Sequence, residues 1–151
     1  MLAMSALQVE VLDMSDPSTA SQVWGIQVDA YAVEAEIIGF REIPPLHETL
    51  ERMVAKPLRW LGIRNDTDGA VVAALGFTDE GGVVDIDRLF VAPGSVRNGH
   101  AGTLIAALGT SREITVSAAL ANEPAIRLYE AHGFVRCAEE EIVPGLIIVH
   151  F

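Results

Sequence analysis

A glycine-rich segment in the middle of the chain has the composition and the position of an anion-binding loop. Pro93–Gly102 follows a predicted strand, Val83–Val91, and precedes a predicted apolar helix, Thr103–Gly109. The first turn of a helix presents unpaired backbone N–H groups together with about half a positive charge from the helix dipole. Glycines let a phosphate approach that backbone without a side chain in the way. The order of strand, loop and helix therefore predicts a pyrophosphate site.

A second predicted strand, Glu113–Ala119, leads into a segment that places a tyrosine near this loop. Asn122 and Tyr129 are seven residues apart, which is close to two helical turns, so both side chains project from one face of a helix. The spacing alone favours a core tyrosine whose hydroxyl hydrogen-bonds the backbone. The alternative is a tyrosine that supplies a proton to a bound group.

The composition limits the classes of protein to which the chain can belong. With 151 residues, half of them hydrophobic, it is long enough for a single domain, 1–151, with a substantial core. A formal charge of −11 and the lack of a basic run argue against nucleic acid as a partner. The apolar run Ala70–Phe77 is too short to span a membrane, and Met1–Gln8 does not resemble a signal peptide. We expect a soluble, cytoplasmic domain without a membrane partner.

The cysteine and the histidines suggest neither a disulfide nor a metal. Cys137 is the single cysteine, so it has no partner for an intrachain disulfide, and we expect it to be a small buried hydrophobic residue. The four histidines show no close-spaced ligand pattern, so no metal site is predicted. Among them, His100 is expected to face solvent and His132 to lie near a helix C-terminus.

The apolar periodicity and the turn signals predict a mixed α/β (α+β) fold in the order β-α-α-β-β-β-α-β-α-β-β. A strand over Ala6–Met14 opens the chain, and a helix continues from Thr19 to Gly39 with Ser18 as its expected cap. The other predicted elements are a helix over Leu46–Lys56 with Leu50, Met53 and Val54 inward, an antiparallel meander of Leu58–Arg64, Ala70–Thr78 and Val83–Val91, and a last strand Ile142–Phe151 interrupted by Pro144-Gly145.

These elements and two motifs within them resemble the GCN5-related N-acetyltransferase (GNAT) superfamily. Ile86–Pro93 resembles the family's fourth strand and the start of its loop. Val96–Ala101 lies where the family usually has Arg or Gln, two variable residues, Gly, a variable residue, and Gly or Ala. The family's pattern N-x-x-A-x-x-L-Y-x-x-x-G-F is matched by Asn122, Ala125, Leu128, Tyr129, Gly133 and Phe134. Two motifs in the correct order are much more specific than one glycine loop.

The resemblance implies a GNAT-like, mostly antiparallel sheet of about seven strands flanked by about four helices. It implies transfer of an acetyl group from acetyl-CoA to a primary amine by direct attack in a ternary complex, with Tyr129 as the general acid. The strands Val83–Val91 and Glu113–Ala119 are expected to splay apart around the cofactor, and the N–H of Leu89 is the expected oxyanion donor. The implied cofactor-binding residues are Leu89, Phe90, Val91, Val96, Arg97, Asn98, Gly99, His100, Ala101, Gly102, Asn122 and Tyr129.

The chain departs from the family at one position of the loop. Val96 stands where the family usually has Arg or Gln, and Arg97 lies one place later. In the family the loop acts chiefly through backbone N–H groups, so the loss of one side chain does not remove the predicted site.

Two aspartates are candidates for the base that removes the proton of the amine. Asp85 and Asp87 share a strand face, unless a bulge changes their directions. An ion pair with Arg88 and the binding of a cationic substrate are the alternative roles. Tyr31 and Glu34 are three residues apart on the first helix, which in the family borders the acceptor cleft, so both are candidates for acceptor binding. A solvated carboxylate is the alternative for Glu34.

The sequence leaves alternatives open for both the partner and the activity. The acidic charge favours a small cationic amine over a protein as the acceptor. A homodimer could form through the apolar last strand, Leu146–Val149. A non-catalytic acyl-CoA-binding or regulatory module is the second hypothesis for function, and an interaction protein without a ligand is the third.

Overall fold

The computed structural model describes residues 8–96 and 98–151 of the chain. Within them the strands are β1 (Val9–Val11), β2 (Arg59–Arg64), β3 (Val71–Glu80), β4 (Val83–Val91), β5 (Glu113–Ala119), β6 (Ala138–Val143) and β7 (Leu146–His150). The helices are α1 (Pro17–Ile38), α2 (Pro44–His47), α3 (Leu50–Ala55), α4 (His100–Ala107) and α5 (Glu123–Ala131). None of the helices in these parts of the chain is long and apolar enough to cross a membrane.

The strands form one sheet in the order β1-β2-β3-β4-β5-β7-β6 over the described residues. Neighbouring strands are antiparallel, except that β4 and β5 are parallel and joined by α4. The predicted mixed, mostly antiparallel sheet is therefore confirmed, and β4 and β5 have the predicted bounds. The last strand β7 lies between β5 and β6, so it offers no free edge for pairing with a second copy.

Several predicted boundaries and environments are wrong. The predicted helix Leu46–Lys56 is two helices, because the backbone of Glu48 is extended and Thr49 caps α3 by accepting from the N–H of Arg52 at 3.2 Å. Asp16, not Ser18, caps α1. Ala6 and Leu7 of the predicted first strand lie outside the described residues, and the observed strand ends at Val11.

Two predicted core residues are exposed. Val54 on α3 is 40% exposed, because the short helix turns only Met53 fully into the core. Cys137 was predicted to be buried, but it lies in the segment before β6 with its side chain exposed. Its thiol donates to the backbone oxygen of His150 at 3.4 Å.

The two faces of the sheet carry two hydrophobic cores, each covered by helices. Successive residues of β3 alternate between them: Leu75 belongs to the core under α4 and α5, and Ala74 to the core under α1 and α3. Leu104 of α4 is fully buried in the first core, and Val23 of α1 is fully buried in the second. Full burial of such a side chain stabilises the fold by about 1.5–3 kcal/mol.

A β-bulge at Asp87 changes the direction of β4. On β3, Gly76 pairs with Arg88 and the next residue, Phe77, pairs with Ile86, so Asp87 is the extra residue. Side-chain alternation is inverted at this point: Ile86 packs in the core under α4 and α5, whereas Phe90 packs in the core under α1 and α3. The bulge thereby turns the side chain of Arg88 toward α1.

The parallel strands β4 and β5 separate directly beyond the start of the bulge. Their pairing ends at Ile86 and Val116. From Ser117 onward β5 pairs only with β7 on its other side, among the residues that the structure describes. The strands therefore splay as expected, and the backbone groups on their facing edges are free to meet a ligand.

A buried polar network holds the chain between α2 and α3 against β4. Arg88 is 4% exposed and binds both carboxylate oxygens of Glu48, with Nη2 to Oε2 at 3.1 Å. Its Nη1 also donates to Gln27 at 3.0 Å, and its Nε to Asp87 at 3.1 Å. Gln27 in turn donates to the backbone oxygen of Pro45 at 3.0 Å.

The network sets the charge of Glu48. Burial by itself would raise the pKa of this carboxyl, but hydrogen bonds from Arg88 and Gln27, together with the charge of Arg88, lower the pKa below its usual value. The carboxylate is therefore ionised at neutral pH, and it compensates the buried guanidinium.

Replacement of Glu48 by Ala is expected to lower the free energy of unfolding by about 3–5 kcal/mol, because the buried charge of Arg88 would lose its buried carboxylate and keep only the exposed Asp87 as an ionic partner. Urea unfolding monitored by circular dichroism measures the change. The folded-state pKa of Glu48 is lowered, so its contribution is complete above the unfolded-state pKa and is lost as pH falls through the folded-state pKa. The difference between wild type and Glu48→Ala should therefore shrink on acidification. Glu36→Ala, which removes an exposed carboxylate of α1, is the matched control, and an equal loss in both variants would contradict the assignment.

Candidate active site

A cavity of about 250 Å³ opens where β4 and β5 separate. One wall is the C-terminal half of α1 with the chain up to α2, and the opposite wall is formed by β5, β7 and α5. The cavity lining includes Tyr31, Glu34, Glu42, Asp87, Arg88, Leu89, Ser117, Asn122 and Tyr129. Four of the predicted catalytic and acceptor residues, on three different elements, therefore converge on one cavity.

Tyr129 lies at the base of this cavity with its hydroxyl available. The ring is 6% exposed and packs edge-on against Phe134 and Phe151, with centroids 5.7 Å away in each case. No hydrogen bond from within the described residues holds its hydroxyl, in contrast to a core tyrosine tied to the backbone. Burial, and after it the charge of Glu34, raises the pKa of Tyr129. The hydroxyl is therefore protonated at neutral pH and can donate.

Glu34 and Asn122 join α1 to α5 across the cavity. The amide nitrogen of Asn122 donates to Oε1 of Glu34 at 3.0 Å, and its oxygen accepts from the N–H of Ala125 at 3.3 Å, capping α5. Burial raises the pKa of Glu34, and the hydrogen bond from Asn122 opposes that rise. The pKa of Tyr31 is raised by burial first and then by Glu34 and Tyr129, so these three side chains form one electrostatic group.

The bulge separates the two candidate bases. Asp87 lines the cavity beside Arg88. Asp85 instead accepts a hydrogen bond from Thr115 of β5 at 2.6 Å, in the part of the sheet where the strands are still paired, and it does not line the cavity. The sequence predicted one shared face for the two aspartates unless a bulge intervened, and the bulge is present. The extra residue in β4 brings only Asp87 to the fork.

The three residues of β4 that were predicted to contact the cofactor through their backbones differ in the environment of their side chains. Leu89 lines the cavity. Phe90 is 5% exposed and stands edge-on to Tyr31 at 6.0 Å between centroids, and Val91 packs against the core under α4 and α5. The side chains of Phe90 and Val91 thus support the strand, and Leu89 stands at the opening.

The start of α4 has the backbone expected of an anion site. Gly99 is the residue before the helix and has a φ of 75°, a left-handed conformation that favours glycine. The N–H groups of His100, Ala101 and Gly102 have no acceptor within the helix, while Asn98 donates to the backbone oxygen of Ser95 at 3.2 Å. Val96 is 52% exposed, and Arg97 lies outside the described residues.

Two loop residues have packing roles that the sequence did not reveal. His100 was expected to face solvent, but it is 8% exposed, and its Nδ1 is buried with no hydrogen-bond partner among the residues that the structure describes. It lies one helical turn before the buried Leu104, which places it on the inward face of α4. A Cβ on Gly102 would come within 2.8 Å of Nε2 of His132, so this glycine makes room for a ring whose Nδ1 contacts the backbone oxygen of Leu128 at 2.9 Å.

Sequence reasoning missed Ser117, His150 and Glu140, which lie on three adjacent strands. Ser117 lines the cavity, and its hydroxyl is 2.7 Å from Nδ1 of His150, whose Nε2 is 3.3 Å from Glu140. It missed the partners of Arg88 as well. Nothing in the spacing could have found these contacts, because each depends on strand register between distant segments.

A sheet that forks between two parallel strands, with a helix N-terminus after the first and a tyrosine behind the second, is the arrangement that the resemblance to the GNAT superfamily implied. The family model described as an acetyltransferase (GNAT) domain matches residues 56–136, more than half of the chain. The chain therefore belongs to the GNAT family, as its motifs predicted.

A curated relative and two solved structures illustrate the likeness. The chain is 29% identical over 147 residues to UPF0157 protein YqkA of Bacillus subtilis, covering 95% of this chain and 42% of that protein. It thus spans about two fifths of the length of this relative. The ribosomal-protein-S18-alanine N-acetyltransferase of Escherichia coli superposes with a TM-score of 0.73 at 14% identity, over 96% of this chain and 91% of that one. The yncA protein of Salmonella typhimurium, solved with its cofactor acetyl-CoA, gives a TM-score of 0.69 at 15% identity, over 97% and 92%.

Replacement of His100 by Leu is expected to raise the free energy of unfolding by about 1 kcal/mol, since a buried polar atom without a partner costs about 1–3 kcal/mol. Thermal and urea unfolding measure the gain. His47→Leu is the control, because the exposed His47 ring has a partner, the backbone oxygen of Arg41 at 2.7 Å. A less stable His100→Leu protein would show that the imidazole is satisfied in solution.

Proposed function

We propose that the chain transfers an acetyl group from acetyl-CoA to a primary amine, with both bound at once, and that the amine attacks directly. The observation that carries this proposal is Tyr129, which lines the cavity at the fork of the sheet and whose hydroxyl is protonated and unpartnered within the described residues. A hydroxyl in that state is suited to donate to a leaving thiolate.

The chain's own groups fit the two ends of acetyl-CoA. The free N–H groups of His100, Ala101 and Gly102 at the start of α4 suit the pyrophosphate, and the free edges of β4 and β5 suit the pantetheine arm. The uncharged Val96 adds nothing to the anion site, which relies on backbone groups. When bound, acetyl-CoA supplies the activated acyl carbon.

The backbone N–H of Leu89 is the proposed donor to the oxygen that becomes negative when the amine adds to the acyl carbon. Leu89 lies directly beyond the bulge, on the edge of β4 that β5 has left. A fixed N–H aimed at a developing charge in a cavity of low dielectric is an effective catalytic group.

The acceptor is proposed to be a small cationic amine. Among the described lining residues, the acids are Glu34, Glu42 and Asp87, and the guanidinium of Arg88 is compensated by Glu48. The cavity is therefore net acidic, and its volume of about 250 Å³ suits a small molecule better than a folded protein surface. The acidic charge that attracts a cationic amine also favours its ammonium form, which has no lone pair for attack. The reaction therefore also requires a group that accepts a proton from the ammonium.

Tyr129→Phe is expected to lower kcat by about 10²-fold, within the usual range for loss of general acid catalysis. Acetyl-CoA affinity should change little, because ring packing is retained. Release of free thiol with a panel of amines, including spermidine, measures turnover, and calorimetry measures binding. Tyr31→Phe, which removes the neighbouring hydroxyl, is the comparison and should cost less. Wild-type protein that binds acetyl-CoA but releases no thiol with any amine would instead support the acyl-CoA-binding module.

Ala101→Glu is expected to weaken acetyl-CoA binding by about tenfold or more, because its carboxylate would lie beside the pyrophosphate. The same charge is favourable to a helix N-terminus by about 0.3–1 kcal/mol, so folding should not suffer. Calorimetry at low and high salt measures the loss, which should be smaller in high salt. Ala101→Gln has the same size without the charge. Equal affinities for the two variants would place the pyrophosphate elsewhere.

A further inference from the structure

Three side chains on adjacent strands form a continuous hydrogen-bonded chain from the cavity to the surface. Ser117 of β5 pairs directly with His150 of β7, and its Oγ is 2.7 Å from Nδ1 of that ring. Nε2 of His150 is 3.3 Å from Oε1 of Glu140 on β6. Ser117 lines the cavity, while the side chains of His150 and Glu140 are 37% and 62% exposed.

Ser117 stands at the mouth of the fork. Ile86 and Val116 are the last paired residues of β4 and β5, so Asp87 and Ser117 are the first residue of each strand beyond the pairing. Both line the cavity. Ser117 therefore lies on the cavity wall at the level where the strands separate.

The hydrogen bonds determine the direction in which protons can move. An ionised carboxylate only accepts, so in the neutral ring we assign the hydrogen of His150 to Nε2, which donates to Glu140. Nδ1 then has the free lone pair and accepts from the hydroxyl of Ser117. The remaining lone pairs of the Ser117 oxygen are left for a donor in the cavity.

We propose that Ser117, His150 and Glu140 form a proton relay that removes the proton of the acceptor amine; this inference rests on the proposed function. As a proton of the ammonium group passes to Oγ of Ser117, the Oγ proton passes to Nδ1 of His150. The lone pair freed on the amine nitrogen forms the new C–N bond, the C–S bond of the donor breaks, and the leaving thiolate takes the proton of Tyr129. The nitrogen loses its second proton to water. The imidazolium, stabilised by Glu140, then releases its proton to water.

The surroundings of His150 suit this role. Within the described residues, Glu140 is the charged group in contact with its ring. Across β5, Asp85 accepts a hydrogen bond from Thr115 and Asp87 is paired with Arg88. From the segment before β6, Cys137 contacts only the backbone oxygen of His150. A transient positive charge on the ring therefore meets one carboxylate and solvent.

The test is the pH dependence of kcat/KM for thiol release from acetyl-CoA with spermidine as the probe amine. Ser117→Ala and His150→Gln should lose about 10²-fold near pH 7, and the loss should diminish toward about pH 10, where the amine is already deprotonated. Glu140→Gln should lose less. Glu141→Gln, the adjacent acid of β6, is the matched control and should follow the wild-type profile. A uniform loss at every pH would indicate a structural defect and overturn the relay.

A second measurement needs neither cofactor nor turnover. Nitrogen-15 NMR of the ligand-free protein should show the Nε2–H tautomer of His150. Glu140→Gln should shift the Nε2 resonance, Ser117→Ala should shift the Nδ1 resonance, and Glu141→Gln should change neither. The opposite tautomer would overturn the relay, as would mass-spectrometric detection of an acetyl group on Ser117, which would make that residue a nucleophile.

The two proposals can fail separately. Wild-type protein that releases no thiol with any amine would refute the proposed function and, with it, the relay as the base. Wild-type turnover with an unaltered pH profile in Ser117→Ala and His150→Gln would refute the relay alone.

Discussion

A continuous β-sheet cannot accept a ligand at its centre, because its backbone groups are already paired with each other. In this protein β4 and β5 give up their pairing beyond Ile86 and Val116, while each stays bonded to its outer neighbour. Unpaired backbone groups in a protein interior are costly. A ligand in the fork would therefore be stabilised by hydrogen bonds to the backbone groups that β4 and β5 leave unpaired. The bulge in β4, the N-terminus of α4 and the position of α5 are all arranged around this opening.

Two polar links hold the helical layer over the fork. On one side Arg88 binds Glu48 and Gln27, and on the other Glu34 binds Asn122. Apolar contacts can slide at small energetic cost, whereas charged hydrogen bonds have defined lengths and directions. The links therefore fix the separation between α1 and the sheet, and with it the width of the cavity. Glu34 is also one of the acids that line the cavity, so this side chain both joins two elements and contributes to the charge of the cavity.

The sequence predicted the parts of the molecule that depend on local pattern. The bounds of β4 and β5 followed from alternating apolar residues, and the motif around Asn122 and Tyr129 identified the helix that carries them. Predictions failed where packing decides. The inward direction of His100 depends on the angle at which α4 meets the sheet. Asp85 and Asp87 were separated by one extra residue in β4, which leaves no mark in the alternation itself.

Contacts between distant segments were beyond any reading of the sequence. Ser117 and His150 are 33 residues apart, and they meet only because β7 enters the sheet between β5 and β6. Glu48 and Arg88 meet because the chain after α2 folds back across β4. Each contact needs the register of two strands or the path of a loop, and neither is encoded in residues that are adjacent in sequence.

The outer margin of the sheet has a consequence for how copies of this protein can meet. Every residue of β6 is exposed, and Glu139, Glu140 and Glu141 follow one another along it. If β6 of a second copy paired with this edge, its three carboxylates would lie beside those of the first copy. The strand has no cationic residue to offset them. Fibre-like growth of the sheet is thereby opposed at its free border by electrostatic repulsion, and this opposition weakens in acid or in concentrated salt.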